Sequence, residues 1–117
     1  MKKHEETKTI TITKPTGNVE VTTTVGNGNL GGGNVKDAAG NRIAKGLLKK
    51  FVLGNGQSLA GKTFVVTTNA LDINSITNQV PVTHQLTGGG ITPVTFDFLL
   101  EADNDGVVSF VITYIFQ

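Results

Sequence analysis

At 117 residues the chain is long enough for one domain with a real core and short for two. It has no cysteine, which excludes a disulfide framework and thiolate metal sites, and no run reaches the roughly 18 apolar residues of a membrane-spanning helix. The formal charge of +1 hides a split: residues 1–62 carry all ten basic side chains and four acids, while residues 63–117 carry five acids and no base. Such asymmetry bears on how a surface meets its partners rather than on the fold.

Met1-Lys2-Lys3 has the charge of a signal-peptide start, but His4-Glu5-Glu6 follows where an apolar run belongs, so no signal peptide is visible. The expectation is a cytoplasmic protein, with a phage-like or secreted assembly also compatible. Residues 1–6 read as a disordered polar tail and 7–117 as a single domain. Thr7–Thr13 alternates, with Ile10 and Ile12 on one face. Lys14-Pro15-Thr16-Gly17-Asn18 is a turn, and Val19–Val25 alternates again through Val19, Val21, Thr23 and Val25. Gly26–Asn34 is rich in residues that tolerate positive φ and predicts a loop. Arg42–Leu53 mixes helical spacing of Ile43, Leu47 and Phe51 with an interrupting Gly46; it predicts a strand from about Leu47, preceded by a short helical turn.

A second glycine loop precedes further strands at Lys62–Thr68, Leu71–Thr77, Val80–Thr87, Thr92–Leu100 and Val107–Phe116. The fold expected is all-β: an antiparallel β-sandwich of about eight strands, Greek-key or jelly-roll-like. The last two strands predict a C-terminal aromatic hairpin over 92–116. Val94, Phe96, Phe98 and Leu100 line one face of the first, and Val108, Phe110, Ile112, Tyr114 and Phe116 one face of the second. Pairing Leu100 with Phe110 and Phe96 with Tyr114 leaves the loop Asn104-Asp105-Gly106, with glycine where a left-handed residue is needed. The other face of the last strand, with Val107, Val111 and Ile115, is still apolar. It predicts either a strand covered on both sides or an interface with another subunit.

Several motifs spell chemistry. Gly56, Gly61, Lys62 and Thr63 match the Walker A phosphate-binding pattern, whose mechanism needs a helix beginning at the Lys–Thr pair. Phe64-Val65-Val66-Thr67-Thr68 follows instead, a β-branched run that disfavours a phosphate site. Gly26-Asn27-Gly28-Asn29-Leu30-Gly31 spells a dinucleotide fingerprint but runs into more glycine rather than into a helix. Glu101, Asp103 and Asp105 alternate like the first ligands of a calcium loop, yet Ile112 stands where the closing acid belongs. A polar hairpin tip is the simpler reading, with calcium the single cofactor to be tested.

His84 with Asp97 and Ser109 can be written as a Ser-His-Asp set, but no nucleophile elbow accompanies it. The basic cluster Arg42, Lys45, Lys49 and Lys50 lacks the interleaved exposed aromatics of a single-strand nucleic-acid binder. The expected function is therefore a non-catalytic interaction or assembly protein, a homo-oligomer or one subunit among others. The alternative is a ligand-binding module for glycan or lipid headgroups, calcium-assisted, built on the Asn/Gly-rich loops.

Overall fold

A computed structural model describes residues 2–46, 50–73, 76–103 and 106–117 of the chain. Nine strands are present among them: β1 (Lys2–Ile10), β2 (Asn18–Val25), β3 (Leu30–Asp37), β4 (Arg42–Gly46), β5 (Lys50–Asn55), β6 (Thr63–Leu71), β7 (Gln79–Gly88), β8 (Val94–Glu101) and β9 (Val107–Phe116). One four-residue helix, α1 (Gly56–Leu59), lies between β5 and β6, capped by the Asn55 side chain, which accepts from the Gln57 amide. The strands form a five-stranded sheet in the order β1-β9-β6-β3-β4 and a four-stranded sheet in the order β5-β2-β7-β8. All neighbours are antiparallel except β1 and β9.

The period-two patterns decide which face goes inside. Val19 and Val21 of β2 and Val80, Val82 and Leu86 of β7 are buried between the sheets, with Phe64 and Val66 of β6 and Phe110, Ile112, Tyr114 and Phe116 of β9 opposite. Burying a side chain of this size contributes about 1.5–3 kcal/mol, so the aromatic end of the chain dominates the core.

The aromatic hairpin does not form. β8 pairs with β7, and β9 lies between β1 and β6 in the other sheet. The two aromatic faces meet across the core instead: the Phe98 and Phe110 rings stand 6.5 Å apart and those of Phe96 and Tyr114 6.1 Å. Matching apolar faces are satisfied equally by strands side by side and by strands stacked in opposite layers, and alternation cannot separate the two. The connection after β8 serves the crossing. Ala102 donates to the Asn78 carbonyl, and the Gly106 amide donates to Asp103. Residues 104 and 105 of the expected loop lie outside the described residues.

Four further expectations need correction. Residues 2–6 are not a free tail but the first half of β1, in parallel register with Val108–Ile112. The loop expected at 26–34 is strand from Leu30 onward: β3 runs through Gly31, Gly32 and Gly33, and a Cβ at Gly33 would collide with the Thr67 carbonyl of the neighbouring strand. Glycine here permits close backbone approach within a strand rather than a turn. The strand expected at 62–68 runs on to Leu71 as β6, and the separate strand expected at 71–77 is not found among the described residues, 74 and 75 lying outside them. The short helical turn expected at the start of segment 42–53 is instead a strand, β4, ended by Gly46 at φ +107°. β5 follows in the opposite layer, and the strand start expected at Leu47 lies outside the described residues.

Candidate functional site

Among the described residues, His84, Tyr114 and Thr68 form a buried cluster with titratable members. His84 in β7 is fully buried, and it bridges the layers: its Nδ1 is 2.7 Å from the Tyr114 hydroxyl of β9, and its Nε2 is 3.1 Å from the Thr68 hydroxyl of β6. In one tautomer Tyr114 donates to Nδ1 and Nε2–H donates to Thr68; in the other both bonds reverse. Burial drives the imidazole pKa down from 6.5 to about 4 and pushes the Tyr114 phenol well above its usual range, the Glu6 carboxylate adding to the latter. The group is sealed between two sheets. Its chemistry is that of a neutral polar pin.

The catalytic set written around His84 is not assembled. Asp97 lies on the outer face of β8, where it accepts from the Thr83 hydroxyl at 2.9 Å, and Ser109 is on the face of β9 opposite to Tyr114. At the Walker-like segment, α1 precedes Lys62 and β6 begins at Thr63. The amides of Gly61 and Lys62 donate to Phe116 and Leu59, so they are turned to the chain itself rather than to a ligand. Asn29 and Leu30 lead into β3, a strand, where the dinucleotide pattern needs a helix. Glu101 closes β8 and Asp103 follows it, both exposed, while Asp105 lies outside the described residues. Among the described residues no three His, Asp or Glu side chains gather as a metal site.

What remains open to partners is the outside of the sandwich. Val107 and Ile115 are 43% and 37% exposed on the outer face of the five-stranded sheet, and Val111 lies half-buried between Glu5 and Thr67 in the middle of that face. β9 is thus central in its sheet, and its outer face is buried at Ser109 but partly open at Val107 and Ile115.

The lateral edges carry the charge. On one side stand β4 and β5 with Arg42, Lys45 and Lys50, next to Lys36 of β3. On the other stands β8 with Asp97 and Glu101, followed by Asp103. β1, which flanks β8 in the other layer, is mixed: Lys8 and His4 both contact the Glu6 carboxylate, and these hydrogen bonds, that of Lys8 first, hold its pKa low. Lys8 also lies 4.8 Å from the centre of the Phe96 ring, which closes the seam between the layers on this side.

Comparison with protein-family models, curated proteins and solved structures finds no match to this chain. The surface must therefore be read on its own terms.

Between β4 and β5 the sandwich is open. A cleft of about 630 Å³ is lined by Ile43, Val52, Leu53, Leu59 and Phe64, with Lys62 also lining it. Asp37, also beside it, is occupied: its carboxylate accepts from the Asn41 and Ala39 amides, which lowers its pKa. No described helix is long and apolar enough to cross a membrane. The side chains that sequence reasoning missed are Val52 and Leu99, 51% and 56% exposed on opposite edges of the four-stranded sheet. The signal for Leu99 was present, since it is the apolar member of an otherwise polar outer face, Thr95, Asp97 and Glu101.

Proposed function

We propose that this chain is a non-catalytic β-sandwich that assembles with further copies of itself. The observation that carries the reading is the strand order, which sets basic β5 three strand positions away from acidic β8 in the four-stranded layer, with basic β4 at an edge of the other layer. Opposite charge on opposite edges of one molecule favours heterologous, head-to-tail contacts over face-to-face pairing of like with like. Val107, Val111 and Ile115 offer an apolar face for an additional contact, to a copy or to another protein subunit. A jelly-roll-like winding fits the same data: β3 pairs with β6 and β2 with β7, nested about the β4–β5 connection as in a folded ribbon.

Light scattering at low and high salt tests the proposal. The expected result is a particle of several chains at low ionic strength whose mass falls as salt screens the edges. A single-chain mass under both conditions overturns it.

A further inference from the structure

The four open edges of this sandwich are not alike. In the five-stranded sheet, β1 turns His4, Glu6 and Lys8 toward the seam, and β4 is only five residues long with a register shift against β3 between Val35 and Lys36. Inward charge, short length and irregular register are the means by which proteins keep an edge from pairing with another chain. The edges of the four-stranded sheet lack inward charge and proline, and β5, although six residues long with a register shift of its own, is regular over 50–52. β5 turns Phe51 and Leu53 inward, and β8 turns Phe98 and Leu100 inward. Each edge then displays one large apolar side chain outside, Val52 and Leu99.

These two edges fit each other. Every neighbour in the four-stranded sheet is antiparallel, so a second copy displaced sideways presents its β5 antiparallel to β8 of the first. That copy is also shifted about 20 Å along the strands, because Val52 is level with Glu20, Thr87 and the residue before Val94. Setting Val52 opposite Leu99 fixes the rest. Lys50 then faces Glu101, Phe51 faces Leu100 and Leu53 faces Phe98. Outer positions meet outer positions and inner meet inner, as the pleat requires. A slip of one residue would set Val52 against the inward Leu100 or Phe98, and a slip of two would set it against Glu101 or Asp97. Leu53 is the extra residue at the register shift between Val19 and Glu20, so the regular part of β5 ends at Val52. The matched stretch is 50–52 with 99–101, with Leu53 and Phe98 at its end.

We infer that β5 of one copy joins β8 of the next in this register, continuing the four-stranded sheet from molecule to molecule. The apolar pair Val52–Leu99 and the ion pair Lys50–Glu101 are the cross-strand contacts that select it. Lys50 already stands 3.1 Å from Glu20 on the same face, and in the junction its ammonium lies between two carboxylates. The cleft beside β5 leaves that edge uncovered by β4. The five-stranded layer is wider by one strand spacing, about 4.8 Å, so successive copies tilt and the contact closes into a ring or winds into a filament.

This inference rests on the self-association proposed above, and the test separates the two. The chain has no cysteine, so Val52→Cys together with Leu99→Cys introduces the single pair that can form a disulfide. Within one chain the two positions are three strand steps apart across the sheet, roughly 14 Å, and roughly 20 Å apart along it, well beyond the reach of a disulfide. Mild oxidation at low salt is expected to give a ladder of covalent multimers, several-fold more than Val52→Cys with Asp97→Cys, whose register is offset by two. No ladder from a chain that light scattering finds multimeric overturns this contact and leaves self-association standing. A native chain that is a single-chain particle overturns both.

A second experiment avoids reliance on one variant. Val52→Asp spoils β5 and Leu99→Arg spoils β8, both at half-exposed positions, and circular dichroism reports whether the strands survive. Each alone is expected to scatter as a single chain, and their mixture as a pair joined through the two intact edges. A mixture that stays monomeric overturns the proposal.

Discussion

His84 Nδ1 lies 2.7 Å from the Tyr114 hydroxyl, and this bond ties the centre of one sheet to the centre of the other. Both partners are fully buried, so neither can exchange the bond for water without opening the sandwich. Tyr114→Phe keeps the ring and strands the imidazole. The expected cost is about 1–3 kcal/mol, the penalty for a buried polar group left without its partner. Adding His84→Leu removes the stranded group and should recover part of that loss. Urea unfolding of the two single variants and the double one measures the coupling.

The same burial sets a pH window. The folded chain holds His84 neutral down to about pH 4, whereas the unfolded chain takes up its proton near 6.5. Between those values the unfolded state binds more protons, so stability rises with pH there. It is fully present above 6.5 and is lost as pH falls toward 4, on the order of 3 kcal/mol across the window. Thermal unfolding followed from pH 7 to 4 should show this slope, and His84→Leu should flatten it. The chain has one tyrosine, so its ultraviolet titration is unambiguous: phenolate should appear together with alkaline unfolding rather than before it.

Much of the fold is legible in the sequence because alternation reports facing. The inward sets of β2, β7, β8 and β9 can all be read from period two alone. Which strand lies beside which cannot, because Phe96 and Tyr114 satisfy the same pattern as sheet neighbours or as ring contacts across the core. β3 is hidden for a different reason. Its glycines suit a loop locally, and the Thr67 carbonyl that demands them is contributed by a strand more than thirty residues later. The polar start of β1 is legible only as a tail, since its strand conformation depends on a ladder to the far end of the chain. Of the site, charge polarity is visible in composition, while the edge positions of Val52 and Leu99 exist only once strand order is known.

Gly33 tests the reading of β3. An alanine methyl there meets the Thr67 backbone, which has no freedom to yield within a central ladder. Gly33→Ala should cost at least about 2 kcal/mol, in the range of core overpacking. Gly28 is the control, with φ +70° and nothing within 4 Å of an added Cβ. Gly28→Ala should cost only about 1–2 kcal/mol, the left-handed backbone penalty. Equal effects from the two would show that β3 does not approach β6 as described.

Val111 probes the outer face of the five-stranded sheet. Lysine at this position sits beside Glu5 and Thr67 and finds an ion-pair partner, so the fold should change by less than about 1 kcal/mol. If the Val107–Val111–Ile115 face meets a partner, Val111→Lys should lower particle mass in light scattering in a manner that added salt does not reproduce. An unchanged mass would remove this face from the assembly.

β1 offers the last test. It adds one buried apolar side chain, Ile10, yet its inner residues cover the seam where His4 lies 5.7 Å from the Phe98 ring and 6.3 Å from that of Phe110. Removing residues 1–8 uncovers those rings and leaves β9 as a long, apolar, unprotected edge, the kind that pairs with other chains. The expected result is a lower melting temperature and time-dependent aggregation, with hydrogen exchange accelerated at β9 amides and little changed at β2 and β7. If protection in β9 persists after the truncation, the parallel ladder is not what guards that edge.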